Sequence, residues 1–295
     1  MDKSPNWNDV WANIDFEKLQ PLEKSLFSDL YDFALPNSPN NQEKAIEIGC
    51  FPGKFIGYLG QKGYEISGID THNRVSEITG WARSLNYKVG TFENTSLESF
   101  SNSSKLKYDV VTSLGFIEHF ENFCDVLHQH AALCSIGGKL IIGCPNFASP
   151  LQRALHETLD NTNLSKHVLE AMYPLVWATF LKVAGFSIEF CGSLGGFGFW
   201  SETVTTNPKI AVLQNLMPQL GQFSNQLSED LNRKESSYVA LIGNKLNDTP
   251  PLNALLDFSN SCHQIALELS NRDQDLSKDY IKSVSYTHLT LPTKA

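Results

Sequence analysis

Short apolar runs alternate with segments whose apolar residues recur every three or four positions over much of the chain, the pattern of strands joined by crossover helices. The strand-like runs are Ala45–Ile48, Tyr64–Ile69, Tyr87–Thr91, Tyr108–Leu114 and Leu140–Gly143, followed later by Phe186–Cys191 and Ser237–Gly243. Between them, Phe55, Ile56, Tyr58 and Leu59 predict a first crossover helix. Val75, Ile78, Trp81, Ala82 and Leu85 predict a second. Val126, Leu127, Ala131 and Leu133 predict a third, with Gly137-Gly138 as its C-terminal cap. Ahead of the first strand, apolar residues from Phe16 to Ala34 keep helical spacing over 15–34, and Pro36 to Asn41 break the pattern. Residues 149–166 are polar and interrupted, a lid candidate, and 168–184 read as a helix restarting at Pro174. A helix kinked at Pro218 is expected over 208–232, and an amphipathic one from Leu252 to Leu269.

The chemistry concentrates where the first strand ends, at Glu47-Ile48-Gly49-Cys50-Phe51-Pro52-Gly53. Gly49 suits a tight turn that a ligand can approach closely, and the helix that follows presents free backbone N–H groups. The second strand ends at Asp70, about 20 residues on, where an acid accepts hydrogen bonds from ribose hydroxyls. Together these features describe a Rossmann-like nucleoside-binding half; an ordinary β-to-α connection is the alternative for the turn alone. Phe51 and Pro52 stand where a dinucleotide fingerprint has its middle glycine. A ligand without a pyrophosphate needs less clearance, which points away from NAD and toward a nucleoside with an amino-acid tail.

Glu47 to Gly53, Gly68-Ile69-Asp70, Tyr108 to His119 and Gly137 to Asn146, in this order and at these intervals, resemble the four sequence blocks of class I S-adenosylmethionine-dependent methyltransferases. The Glu118-His119 pair is similar to that of the ubiquinone-biosynthesis branch, and the resemblance covers about residues 40–245. It implies a Rossmann-like α/β fold: a seven-stranded, mostly parallel sheet with an antiparallel last strand, helices on both faces and an N-terminal helical cap. It also implies S-adenosylmethionine as cofactor. Glu47 would orient its ammonium, Gly49, Cys50 and Gly53 would approach its methionine portion, and Asp70 would hold the ribose. Phe92 and Glu93 would flank the adenine, although Thr91 occupies the commonest acid position, and Ser113 would complete the cofactor site. Gly115, Glu118, Asn146 and Phe197 would face the methyl acceptor, and His119 would take its proton, an imidazole ordinarily titrating near neutrality. For Glu118 and His119 the alternative is a loop held by hydrogen bonds, and for Asn146 a shaped turn. The glycine–aromatic run Gly192 to Trp200 would either stack a substrate or fold onto the core.

Composition narrows the rest. The chain has 295 residues, 41% of them hydrophobic, and a formal net charge of −9. That charge, without a basic run, disfavours nucleic-acid partners. No apolar stretch spans a bilayer and no apolar signal core opens the chain, so a cytoplasmic protein is expected. The six cysteines form no C-x-x-C pair and are expected to be free thiols, with no catalytic part for Cys50. His128 and His130 lie two apart and share no helix face, so no metal site is expected. Residues 1–40 would form the cap, 41–246 the catalytic domain with a helical insertion at about 205–232, and 247–283 a C-terminal extension. Residues 284–295 resemble a translated sequencing-library adapter. The acceptor class expected is a small molecule or a glycan or lipid precursor; the oligomeric state stays open. The alternatives are an NAD(P)-dependent oxidoreductase and a non-catalytic nucleoside-binding module of the same fold.

Overall fold

The computed structural model of the protein describes residues 6–35, 43–201, 208–215 and 234–288. Its seven strands are β1 Lys44–Ile48, β2 Glu65–Asp70, β3 Lys88–Asn94, β4 Tyr108–Leu114, β5 Cys134–Pro145, β6 Phe186–Phe197 and β7 Ser236–Lys245. They form one sheet in the order β3-β2-β1-β4-β5-β7-β6. β1 pairs in parallel with β2 and β4, and β7 runs antiparallel between β5 and β6. The expected fold class is therefore the observed one.

The central strands are near-continuous apolar runs because helices cover both their faces. Ile46, Ile48, Val111 and Leu140 belong to one core with helices Phe123–Leu133 and Pro174–Val183. Ala45, Ile66, Val110 and Ile141 belong to the other, with helices Leu26–Ala34, Lys54–Gln61 and Glu77–Ser84. The strand order reverses between β1 and β4, so their carboxyl ends open on the crevice where open α/β sheets bind ligands.

Several boundaries differ from those expected. The N-terminal helix begins at Leu26 instead of residue 15, because Ser25 and Ser28 form a reciprocal capping box there. Gly137 (φ +84°) lies inside β5 and does not cap a helix; the preceding helix already ends at Leu133, capped by extended Cys134. β6 continues past Cys191 to Phe197, since glycine backbone still pairs with β7 despite contributing no side chain. Residues 149–166 form helices Pro150–Leu159 and Asn161–Leu164, not an irregular lid. The C-terminal helix Leu256–His288 packs against Pro150–Leu159 and Pro174–Val183. Arg153 donates to the Ser270 carbonyl at 3.1 Å and Tyr173 to Asp273 at 3.0 Å. The expected break at residues 36–41, most of the helix expected over 208–232, and residues 289–295 lie outside the described residues.

Candidate functional site at the carboxyl ends of β1, β2 and β4

The turn after β1 is built around two glycines in the left-handed region, Gly49 (φ +73°) and Gly53 (φ +108°). Gly53 caps helix Lys54–Gln61, and a β-carbon there would lie 3.1 Å from Ile78 and 3.2 Å from Trp81. The Glu47 carboxylate reaches under this helix and accepts the Ile56 N–H at 2.9 Å, taking one of the donors that every helix start leaves unpaired. Burial holds the Glu47 carboxyl well above the usual carboxylate range; the Ile56 N–H pulls it down and the charge of Asp70 raises it further. Cys50 is buried with its sulfur against Gly68 of β2, where a β-carbon would come within 2.5 Å of it. Burial pushes this thiol far up, in keeping with a packing residue.

Asp70 ties the two strand ends together. One carboxylate oxygen accepts the Phe51 N–H at 2.9 Å and the other the His72 N–H at 2.8 Å. Burial raises its pKa and these two N–H groups oppose that. A carboxylate has about four acceptor positions, so two stay available for hydroxyl donors. His72 was not foreseen in the sequence. Its ring stacks on Phe51 with centroids 3.7 Å apart, and Phe16 packs edge-on to Phe51 at 5.9 Å. Its Nδ1 accepts the Arg74 N–H at 3.2 Å, which leaves the hydrogen on Nε2, a buried donor with no hydrogen-bond partner. Phe92 of β3 is buried, its ring against Gly68, whereas Glu93 beside Ile69 is exposed.

A second group surrounds the end of β4. Tyr31, fully buried, bonds Thr112 at 3.0 Å, so the N-terminal helix is anchored near Glu47; burial, and after it Glu47, push the Tyr31 phenol up. The Phe116 ring lies over Gly49, where a β-carbon would stand 2.7 Å from it. Ser113 is also fully buried and its hydroxyl bonds His130 Nε2 at 3.0 Å, while His130 Nδ1 meets the Val126 carbonyl at 2.7 Å. With Nδ1–H donated to a carbonyl, Nε2 is the acceptor and Ser113 the donor. Burial lowers the His130 pKa from 6.5 to about 4. The unfolded chain thus binds a proton that the folded one refuses, and stability from this group, complete above pH 6.5, drains away as pH falls toward 4. Urea unfolding between pH 7 and pH 4 is expected to show a loss of about 3 kcal/mol from it. A His130→Leu variant should show a correspondingly flatter acid limb.

Beyond β4, Gly115 (φ +78°) turns the chain into the short 3-10 helix Ile117–His119. Glu118 and His119 are both buried, with Glu118 Oε1 4.0 Å from His119 Nε2. His119 Nδ1 meets the Lys166 carbonyl at 3.1 Å. Asn146, after β5, spends its amide hydrogens on the carbonyls of Lys234 (3.2 Å) and Ser236 (2.9 Å), fastening β5 to the start of β7. Phe197 pairs with Ser236 at the end of β6, while Gly195 (φ +76°) abuts Leu26 of the N-terminal helix. An open cleft of about 590 Å³, lined by Pro21, Asp29, Asp32 and Tyr58 among others, lies away from Glu47, Asp70 and His119. Its lining carries none of the chemistry gathered at the strand ends.

The methyltransferase-domain family matches residues 19–186, more than half of the chain. A ubiquinone biosynthesis O-methyltransferase of an Azoarcus species is 29% identical over 107 residues, covering 35% of this chain and 45% of that protein. Its counterpart from Alkalilimnicola ehrlichii is 24% identical over 104 residues, covering 35% and 42%. The chain thus spans less than half the length of these curated relatives. Among solved structures, a SAM-dependent methyltransferase from Archaeoglobus fulgidus is 15% identical and superimposes with a TM-score of 0.48, over 81% of this chain and 98% of that one.

Proposed function

Since the chain belongs to the class I S-adenosylmethionine-dependent methyltransferase family, we propose that it transfers a methyl group from that cofactor to an oxygen or nitrogen of a small molecule or of a glycan or lipid precursor, in the cytoplasm. The observation that carries the reading is the Asp70 carboxylate, held at the edge of the glycine turn by the Phe51 N–H at 2.9 Å. The groups present fit the cofactor. Asp70 keeps acceptor capacity for two ribose hydroxyls, and beside it His72 Nε2–H is a buried donor lacking a partner. Bound S-adenosylmethionine supplies a methyl group already activated by its sulfonium.

The chain's residues then have to align and exclude. Asp70 and His72 hold the nucleoside end. Glu47, at the foot of helix Lys54–Gln61, offers negative charge to the ammonium of the amino-acid tail. Tyr31 and the N-terminal helix close the site against water, and alignment of donor and acceptor supplies most of the acceleration. Glu118 and His119 lie where the acceptor enters, and His119 handles the acceptor's proton. No helix among the described residues is long and apolar enough to cross a membrane.

Calorimetric titration tests the proposal. Asp70→Ala is expected to weaken S-adenosylmethionine binding by about 1–3 kcal/mol through lost charge-assisted hydrogen bonds, and unchanged affinity would refute the assignment. NAD is expected not to bind, because Phe51 and Pro52 crowd the position a pyrophosphate needs. The ring of Phe116 over Gly49 is the one observation that favours a non-catalytic binding module. Conversion of the cofactor to S-adenosylhomocysteine with any acceptor removes that reading.

A further inference from the structure

We infer that Glu118, His119 and His167 form a binding site for one divalent transition-metal ion of the zinc, cobalt or manganese kind. The three residues come from two separate segments: the 3-10 helix Ile117–His119 after β4, and the stretch following helix Asn161–Leu164. All three are buried, and one ligand atom from each lies within 4.8 Å of the others. The two segments are joined by backbone, since Val168 N–H donates to the Glu118 carbonyl at 2.7 Å. The set is therefore assembled by the fold and not by chance approach of long side chains.

The two imidazoles are oriented as ligands. His119 Nδ1 meets the Lys166 carbonyl at 3.1 Å, and His167 Nδ1 meets the Asn163 carbonyl at 2.8 Å. A carbonyl only accepts, so in each neutral ring Nδ1 carries the hydrogen and Nε2 the lone pair. Metal-binding histidines characteristically have this arrangement, the far N–H fixed by a backbone carbonyl. The rings stand 5.0 Å apart, centroid to centroid, and Phe147 packs edge-on to His167 at 4.9 Å, giving the cluster an apolar wall. Two ring nitrogens and a carboxylate thus converge in a buried space, a donor set that suits a cation.

Ligand chemistry chooses the class of ion. Two imidazoles and one carboxylate suit zinc, cobalt, iron or manganese; calcium and magnesium prefer all-oxygen sets. Bond lengths of about 2.0–2.2 Å would draw the three groups together by side-chain rotation. Three protein ligands leave coordination positions open. In the sequence alone His167 reads as a surface histidine at most weakly tied to a site, because it lies far along the chain from the Glu118-His119 pair and matches no short ligand motif with them; the fold buries it beside them.

Metal binding is independent of the methyl-transfer reading. Where both hold, the ion would carry an acceptor oxygen in its ionised form, its proton released to solvent before transfer, and His119 would act as ligand instead of base. Full-length chain freed of metal by a chelator should, on titration with Co²⁺, develop the visible absorption of nitrogen- and oxygen-ligated cobalt at one equivalent, and Zn²⁺ should displace it. His167→Ala removes a ligand and should weaken binding by more than the roughly 10–100-fold that losing an outer-shell partner costs, with cofactor affinity as the check that the fold persists. Should that variant fail to fold, His167→Phe replaces it, and the wild-type titration decides alone. Absence of the cobalt bands and of zinc binding in the wild-type chain at micromolar metal overturns the inference, as does undiminished binding by a folded His167 variant.

Discussion

Replacing His119 by alanine is expected to lower turnover about 10²–10⁴-fold, the range general acid–base groups contribute, while S-adenosylmethionine affinity stays as it was. The separation follows from the architecture. His119 belongs to the turn after β4, whereas Glu47 and Asp70 stand at the ends of β1 and β2. His119 keeps its orientation through Lys166, so its loss leaves the cofactor groups in place. The pH profile then tells which service it performs. If the ring takes the acceptor's proton itself, wild-type turnover falls on acidification with one imidazole limb, and chelators do nothing. If it acts by holding a metal ion, a chelator abolishes turnover in the wild type as thoroughly as the substitution does. Near-normal turnover by His119→Ala in saturating cofactor and acceptor would exclude both roles.

What could be read in the chain, and what could not, divides by distance along it. The turn from Glu47 to Gly53 and the acid at Asp70 are local patterns: a strand, a glycine able to take positive φ, a helix start, and a second strand ended by a carboxylate. Their juxtaposition follows from the parallel β1–β2 pairing that the crossover helix enforces. The part played by Tyr31 was not legible, because nothing local tells a buried phenol bonded to Thr112 from an ordinary residue on an amphipathic helix. Nor was the service Ser113 gives to His130, a contact between β4 and the helix behind it.

Residues 149–167 show the failure most clearly. Gln152, His156, Asp160, Asn163 and His167 recur at helical spacing and are all buried, so the inward stripe of these helices is polar. Periodicity methods look for apolar stripes and see only a broken polar stretch. Several of its groups find partners in a way no pattern foretells: Gln152 donates to the Gly198 carbonyl at 2.7 Å and the Glu235 carbonyl at 2.9 Å, and Asn163 to Asp160 at 3.1 Å. His156 stacks between Phe147 and Phe199, with centroids 3.9 and 4.7 Å away. A buried polar stripe of this kind marks the place where sequence pattern and fold part company, and the best candidate for new chemistry, His167, lies at its end.

Glu47→Gln is expected to change two measurements in opposite directions. In the ligand-free protein, the Glu47 carboxyl has its pKa raised by burial and then by Asp70, against the pull of the Ile56 N–H. Folding therefore takes up a proton, and the favourable contribution, complete below the unfolded carboxyl value near 4.5, is lost as pH climbs through the raised folded value. Above pH 4.5 the wild type therefore gives up stability at Glu47 that a side chain without a proton equilibrium keeps. Glutamine keeps an oxygen to accept the Ile56 N–H and does not titrate, so the ligand-free variant should unfold at higher urea than the wild type at pH 7–8, with the difference vanishing toward pH 4.5. Cofactor binding should move the other way. A buried carboxylate that meets an ammonium gains a partner, and deleting one member of such a pair costs about 3–5 kcal/mol; calorimetry should find S-adenosylmethionine bound correspondingly more weakly. Gain in stability with loss of affinity means that the first strand holds a charge for its ligand. Gain in stability with unchanged affinity would reduce Glu47 to a helix-start acceptor and leave the ammonium to be held by other groups.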